Sequence, residues 1–237
     1  MECTPRWARV GTKMAEPIDK EYYEVIANRS IAEKVLVRAR EKMHADFLRL
    51  VKPSAETTIL DVGVSDVQVK GANWLESVYA YPAKISACGL GRGDDFKAAF
   101  PEIDYTNIIA NQRLPYTDGA FDVVTANAVL EHVGSVDNQR AFIAELSRVG
   151  RSVFLTVPHR YFPIEHHTSI PLLHFFDRSF ALACNITGKE RWLKPENLIM
   201  MSRTHLRSLA PTNSTIGYTG IGLGPFSSNL FLHLQNV

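Results

Sequence analysis

Five short apolar segments, each about the length of one β-strand, alternate with helical patterns through the middle of this chain. They occupy residues 58–63, 84–88, 105–109, 121–126 and 151–157. Strands that are apolar along their whole length, rather than at every second position, are typical of parallel sheets covered on both faces. Alternating strands and helices connect through right-handed crossovers. The sequence therefore predicts an α/β fold around a doubly wound parallel sheet.

The helical patterns complete the predicted order of elements. Residues 73–79, 94–100 and 137–149 lie between strands, and a longer pattern over 19–51 precedes them and ends before Pro53. Residues 203–209 predict a short helix, and 213–218 and 229–234 predict two closing strands. We expect a loose leader over 1–17 and a single domain over 18–237. Within it we expect a helical cap (18–53), a core (57–158), and loops with the closing strands (159–237).

The composition excludes several classes of protein. The chain has 237 residues, 46% of them hydrophobic, and a formal net charge of +1, which suits one globular domain and argues against nucleic acid as a partner. No run approaches the ~18 apolar residues of a membrane span, so no integral membrane segment is predicted. Cys3, Cys88 and Cys184 are far apart and form no C-x-x-C pair, which predicts reduced thiols and a cytoplasmic protein.

The first strand ends in a turn that is typical of a ligand site. In open α/β sheets, ligands bind outside the carboxyl ends of the strands, and the turn Asp61-Val62-Gly63 lies at that edge. Gly63 lets a backbone approach a ligand closely, and Asp61 can either fix the turn or accept a hydrogen bond from a ligand amine. An ordinary tight turn would have the same sequence.

Two longer segments carry a resemblance to a known family. Residues 114–133, LPYTDGAFDVVTANAVLEHV, resemble the central signature of class I S-adenosylmethionine-dependent methyltransferases, in their small-molecule, type 11-like branch. ILDVG, at 59–63, resembles the first motif of that family, and VFLTVPHRYFPIEHHTSIPLLHFF, at 153–176, is similar to a later segment of one bacterial subgroup. The resemblance covers about residues 57–176.

The resemblance implies a fold and a cofactor. The expected fold is a Rossmann-like, doubly wound seven-stranded sheet whose last strand is antiparallel, with a helical N-terminal extension. The methyl donor S-adenosyl-L-methionine would bind over the first, second and fourth strands. The resemblance makes residues 57–158 the donor-binding core and residues 159–237 the acceptor side of a methyltransferase-like domain. The implied donor-binding residues are Asp61, Gly63, Ser65, Gly89, Asn111, Asn127 and Glu131.

Three motifs in this chain depart from the family pattern. Ser65 and Val67 stand where the first motif has its second and third glycines. Gly89 stands where the second strand normally ends in a carboxylate for the ribose, and Asn111 is the nearest polar residue to the usual adenine-side acid. These departures leave open a non-catalytic, methyltransferase-like interaction domain with weakened donor binding.

A cluster at 158–168 follows the fifth strand and suits an acceptor pocket. Histidine can accept a proton from a hydroxyl nucleophile, so His132, His159 and His167 are the candidate catalytic bases. Arg160, Tyr161 and Glu165 are the candidate substrate contacts. A loop braced by proline with solvated histidines is the alternative. Histidine and carboxylate are also metal ligands, but no metal is predicted, because neighbouring histidines in an extended chain point apart.

The sequence thus favours in-line methyl transfer, which needs alignment of donor and acceptor rather than a covalent enzyme intermediate. The expected acceptor is small and sugar- or lipid-linked, such as a glycolipid-like molecule. A nicotinamide-dependent oxidoreductase is disfavoured, because G-x-G-x-x-G is absent after the first strand. Gly63→Val is expected to abolish donor binding while leaving the fold intact. The sequence makes no prediction of the oligomeric state.

Overall fold

A computed structural model describes residues 30–68, 71–222 and 224–236. It contains a seven-stranded sheet with the order β3-β2-β1-β4-β5-β7-β6. The strands are β1 (Ile59–Val62), β2 (Ile85–Leu90), β3 (Asp104–Ile108), β4 (Phe121–Asn127), β5 (Gly150–Pro158), β6 (Thr215–Thr219) and β7 (Asn229–Gln235). The first five run parallel, and β7 is antiparallel to both β5 and β6. The predicted fold class, including the antiparallel last strand, is confirmed.

Six α-helices in the described ranges accompany the sheet. They are α1 (Ser30–Val51), α2 (Trp74–Val78), α3 (Asp94–Ala99), α4 (Val136–Val149), α5 (Asp177–Thr187) and α6 (Arg203–Leu209). Five short 3₁₀ turns in the same ranges complete the connections. The sequence pattern did not predict α5, which buries Phe180 and Cys184 in a satellite cluster with Trp192. The expected leader at 1–17 and the start of the first predicted helix lie outside the described residues.

None of the six helices is long and apolar enough to cross a membrane.

The core lies on both faces of the sheet, as the continuous apolar strands predict. On β1, Leu60 and Val62 pack into the larger apolar cluster with Leu146 of α4, while Ile59 packs into a second cluster with Phe47 of α1. Successive side chains of a strand point to opposite faces, so a strand buried at every position has to be covered on both sides. This places β1 at the centre of the domain and its carboxyl end beside β2 and β4.

Local sequence explains why α4 forms where it does. Ser135 lies before its first residue, and its hydroxyl accepts a hydrogen bond from the backbone N–H of Asn138 at 3.1 Å, which satisfies one of the unpaired donors of the first turn. Ile143, Leu146 and Val149 then form a buried stripe at the spacing of one helix face. The helix covers β4 and β5 and delivers the chain directly into β5.

Candidate functional site

A cleft of about 980 Å³ opens at the carboxyl ends of β1, β4 and β5. Its walls come from α1, the turn after β1, the start of α2 and the loop after β4, and His132 and His167 close one end. The cleft is at the edge of the sheet where open α/β folds bind their ligands.

One part of the cleft carries a buried cation beside buried carboxyl groups. Arg40 of α1 is only 5% exposed, and its Nε is fully buried without a hydrogen-bond partner in the described residues. Its charge opposes the rise in the pKa of Asp61 that burial causes. Asp61 accepts a hydrogen bond from Thr125 Oγ1 at 2.8 Å. Glu76 of α2 is buried nearby. A buried N–H without a hydrogen-bond partner is costly, so this region suits a ligand that brings an acceptor such as a carboxylate.

The two carboxyl groups share a low-dielectric site. Burial raises the pKa of Asp61, and burial together with the charge of Asp61 raises the pKa of Glu76 well above its usual range. Two like charges in one buried site cannot both ionise freely. Trp74, which also lines the cleft, has a buried indole N–H without a partner, so a donor is present here in addition to the charges.

The loop after β4 carries backbone strain where it borders the cleft. Ala128 has a φ of +57°, a conformation that residues other than glycine adopt at a cost. Two hydrogen bonds to Thr156 hold this part of the loop. The N–H of Ala128 donates to the Thr156 carbonyl at 2.9 Å, and Thr156 Oγ1 donates to Oδ1 of the preceding residue, Asn127, at 2.6 Å. Asn127, a sequence-predicted site residue, therefore lines the cleft in a fixed orientation.

The histidine end of the cleft joins two segments that are distant in sequence. The Nε2 atoms of His132 and His167 lie 3.2 Å apart. His167 Nδ1 donates to Glu165 Oε1 at 2.9 Å, and His132 Nδ1 donates to the Asn197 carbonyl at 2.5 Å. Each ring is thus held by its Nδ1, and the Nε2 atoms face each other.

Glu165 organises its own loop. It accepts hydrogen bonds from the backbone N–H groups of His167 and Thr168 and from the Thr168 hydroxyl, in addition to His167 Nδ1. Burial acts to raise its pKa, but the charge of His167 and these hydrogen bonds outweigh that effect and lower the pKa of Glu165 to about 2. An ionised carboxylate with this many donors fixes both the loop and the His167 ring.

Glu131 has the opposite environment. It is 1% exposed, and neither carboxylate oxygen has a hydrogen-bond partner in the described part of the chain. Burial raises its pKa to about 7. Burial and the neighbouring His167 lower the pKa of His132 to about 3. Glu131 Oε1 lies 3.9 Å from His132 Nε2, so a partnerless carboxyl group stands beside the histidine pair.

The turn after β1 contacts the loop after β4. Gly63 has a φ of +92°, and a Cβ at this position would lie 2.4 Å from Val129 Cγ2. The expectation that Gly63→Val would leave the fold intact is therefore wrong, because the larger side chain meets both backbone strain and a packed neighbour. Ser65 also lines the cleft, but its backbone N–H and C=O are paired with the Asn73 amide.

The structure does not bring Gly89 or Asn111 into the cleft. The loop after β1 runs over the end of β2: a Cβ at Gly89 would lie 2.8 Å from the Val64 carbonyl oxygen. Asp66 further along this loop accepts a hydrogen bond from the N–H of Phe96 at 2.8 Å. The edge beyond β2, where the resemblance places the ribose, is covered by this loop.

A second, smaller cavity of about 260 Å³ has five of the predicted site residues in its lining. They are His159, Arg160, Glu131, Glu165 and His167. His159 Nδ1 bonds to the Ser227 carbonyl at 3.1 Å, and Arg160 forms an ion pair with Asp177.

Tyr161 lines neither cavity and is 41% exposed. Of the three candidate bases, His132 and His167 face the main cleft and His159 does not.

Sequence reasoning missed Arg40, Trp74 and Glu76. A signal for Arg40 was present, since it shares the apolar face of α1 with Met43 and Phe47 at helical spacing. A charged residue on a buried stripe indicates a specific partner. Trp74 and Glu76 lie on a helix of five residues, which is too short for the sequence to show which side chains face a ligand.

Comparison with known proteins identifies the fold. Residues 88–153 match the family model of a methyltransferase domain. No curated protein sequence matches the chain. Among solved structures, an S-adenosylmethionine-dependent methyltransferase from Thermotoga maritima is similar with a TM-score of 0.59 and 14% identity, over 94% of this chain and 98% of that chain. Magnesium protoporphyrin IX methyltransferase from Synechocystis PCC 6803, with bound SAH, has a TM-score of 0.56 and 14% identity, over 92% and 94%.

A structure from Rhodobacter sphaeroides described as a Zn-dependent alcohol dehydrogenase is also similar, with a TM-score of 0.55 and 12% identity, over 81% of this chain and 88% of that chain. At such identities the likeness shows a shared fold and does not transfer an activity. The family model matches the chain from the middle of β2 to the start of β5. The chain therefore has the fold of class I S-adenosylmethionine-dependent methyltransferases, and its residues 88–153 match the model of a methyltransferase domain.

Proposed function

We propose that this protein transfers a methyl group from S-adenosyl-L-methionine to a small, sugar- or lipid-linked acceptor. One observation carries the proposal: a cleft at the carboxyl ends of β1, β4 and β5 is lined by a buried guanidinium whose Nε has no hydrogen-bond partner in the described residues, by the buried carboxyl group of Asp61 and by a histidine pair. The guanidinium and the carboxyl group suit an amino-acid zwitterion, and the histidine pair suits a nucleophile that must lose a proton. The methyltransferase fold supports joining the two in one reaction.

The charged part of the cleft fits the methionine end of the donor. Arg40 offers a planar, five-donor guanidinium that recognises carboxylates, and Asp61 offers a carboxylate for an ammonium group. The buried Trp74 N–H adds a further donor. The two charges that the protein buries here would each gain an opposite charge from the ligand, which offsets their loss of water.

The donor, when bound, supplies an activated methyl group on a sulfonium with its leaving group attached. The residues of this chain then have to align the acceptor and exclude water. His132 and His167 lie at the end of the cleft where the acceptor would enter, and Glu165 holds the His167 ring in place. For a hydroxyl acceptor, this pair is the described group in the cleft best placed to take the proton.

The overall charge of the chain supports a small acceptor rather than a polyanion. The net charge of +1 provides no electrostatic attraction for a polyanion. The sugar- or lipid-linked class rests on the resemblance of residues 153–176. The two cysteines in the described ranges, Cys88 and Cys184, are free thiols, which supports the proposed cytoplasmic setting.

The proposal is tested by calorimetric titration of the protein with S-adenosylhomocysteine and S-adenosylmethionine. We expect both to bind, and Arg40→Gln to weaken binding by about tenfold or more, because an unpaired ligand carboxylate costs at least ~1.4 kcal/mol. Arg38→Gln is the matched control, since Arg38 lies on the same helix and is exposed. An acceptor screen that measures release of S-adenosylhomocysteine would follow.

The loop that covers the end of β2 favours a second candidate function. If that loop keeps the adenosine part of the donor from binding, the domain would act as a non-catalytic interaction module. Failure of both nucleosides to bind, in the presence and absence of acceptor candidates, would support that function and refute the first.

A further inference from the structure

Glu131, His132 and His167 bring three potential metal-ligand atoms into one small space. One carboxylate oxygen and the two Nε2 atoms all lie within 4.8 Å of one another. Glu131 and His167 are almost fully buried, and His132 is partly buried. The cluster lies between the main cleft, which His132 and His167 line, and the second cavity, which Glu131 and His167 line.

The orientation of the two imidazoles leaves their ligand atoms converging. Each Nδ1 donates to an oxygen, on Glu165 for His167 and on the Asn197 backbone for His132. A neutral imidazole with its proton on Nδ1 presents a lone pair at Nε2. Histidines that bind metals almost always donate their other ring N–H to a carboxylate or a carbonyl in this way. Both histidines therefore have the supporting contact that a metal ligand requires.

The separation of the two imidazole nitrogens agrees with a metal ion of the zinc class, whereas Glu131 Oε1, 3.9 Å from His132 Nε2, would have to move closer on binding. With Zn–N bonds of about 2.0–2.1 Å, two ligand nitrogens in a tetrahedral site lie about 3.3 Å apart, and the observed Nε2–Nε2 separation is 3.2 Å. Glu131 supplies a carboxylate that has no other partner in the described residues. We propose that Glu131, His132 and His167 bind a divalent transition-metal ion, with zinc as the first candidate.

The donor set selects among metals. Two imidazole nitrogens and one carboxylate suit Zn²⁺ and related ions, whereas Mg²⁺ and Ca²⁺ prefer oxygen ligands alone. Three protein ligands leave a fourth position open, as in catalytic rather than structural zinc sites. Because two of the ligands line the main cleft, that position faces the space in which an acceptor would bind.

The ion would give the site a role in the reaction. With their Nε2 atoms on the metal, His132 and His167 would serve as ligands in place of accepting the proton. The metal would lower the pKa of a bound oxygen ligand, so an acceptor hydroxyl at the open position would release its proton to water. This role rests on the proposed methyl transfer, but metal binding itself does not. Metal binding can therefore be measured without donor or acceptor, and its outcome is distinct from that of the donor titration.

A proton shared between the two Nε2 atoms is the competing explanation of their short separation. In that case His167 would be an imidazolium paired with Glu165, and Glu131 would have no role in holding the pair. The two explanations differ in what they predict for Glu131. A metal needs its carboxylate, whereas a shared proton does not.

The experiment titrates the full chain, after treatment with a chelator, with Zn²⁺ by calorimetry and with Co²⁺ by visible absorption. We expect one equivalent to bind and Co²⁺ to give the intense d–d bands of a four-coordinate site. Glu131→Gln should weaken binding at least about 100-fold, since loss of even a supporting partner costs about 10–100-fold. Because this carboxylate lacks a hydrogen bond, the isosteric change should leave the metal-free fold intact.

His167→Asn should abolish the Co²⁺ bands, and His205→Asn is the control, since His205 bonds to Gln139 on another part of the fold. Absence of stoichiometric binding to the wild-type protein would overturn the proposal. Unchanged affinity in folded Glu131→Gln protein would also overturn it and would favour the shared proton.

Discussion

Glu165→Gln should destabilise the protein more than a change of one atom suggests. The carboxylate accepts four hydrogen bonds at 2.6–3.0 Å: three at Oε2, from His167 N, Thr168 N and Thr168 Oγ1, and one at Oε1, from His167 Nδ1. A glutamine oxygen placed at Oε2 keeps three of them without the charge, and its NH₂ group then faces the N–H of His167 Nδ1.

The magnitude follows from these contacts. A hydrogen bond to a charged group contributes about 1.5–3 kcal/mol, so losing one and weakening three should cost at least about 3 kcal/mol. With a urea m-value near the upper end of about 1–3 kcal/mol/M, the unfolding midpoint should fall by about 1 M. Equilibrium urea denaturation followed by circular dichroism measures this shift. Glu190→Gln, an exposed site that loses the same charge, is the control.

The same substitution should change the tautomer of His167. To bond with the glutamine NH₂ group, Nδ1 must accept, which moves the proton to Nε2. Nitrogen chemical shifts of the labelled imidazole distinguish the two forms. A midpoint shift no larger than that of the control, with Nδ1 still protonated, would refute the role assigned to Glu165.

Two further predictions concern Glu76 and Gly63, beside the cleft. Because its pKa is raised, Glu76 keeps its proton in the folded protein at pH values where the unfolded chain has released it. The free energy of unfolding should therefore fall as the pH rises above about 4.5. Urea unfolding at a series of pH values measures this decline, and Glu76→Gln should flatten it. Gly63→Ala should lower the free energy of unfolding by more than the strain of a positive φ alone, which is about 1–3 kcal/mol, because Val129 must also move. Gly119→Ala, with a φ of +63° and open space around its Cβ, isolates the strain, and equal thermal shifts for both variants would contradict the packing explanation.

Much of the fold could be predicted from local sequence. The strand segments were apolar without alternation, and burial on both faces is what the structure shows for β1. The short helix at Arg203–Leu209 matches its predicted bounds. By contrast, α5 was missed, because its exposed face carries Leu182 and Ile186 and so shows no clear polar side.

The candidate site was only partly predictable. His132 and His167 were singled out separately, each from its own motif. Their contact joins segments 35 residues apart, and sequence spacing contains no information on that distance. The sequence places potential metal ligands together only within residues 158–168, whereas Glu131 and His132 follow the end of β4. Arg40 reaches the cleft because α1 packs across β5, β6 and β7, which no local pattern encodes.

The sequence by itself determined the class of fold and the edge of the sheet at which ligands bind, because apolar patterning and turn residues act over a few neighbouring positions. Only the tertiary structure decided which polar side chains meet there. The pairing of His132 with His167 and the burial of Arg40 and Glu131 beside them arise from the packing of separate elements. Burial then sets their charge states, because desolvation depends on everything that surrounds a group rather than on its neighbours in the chain.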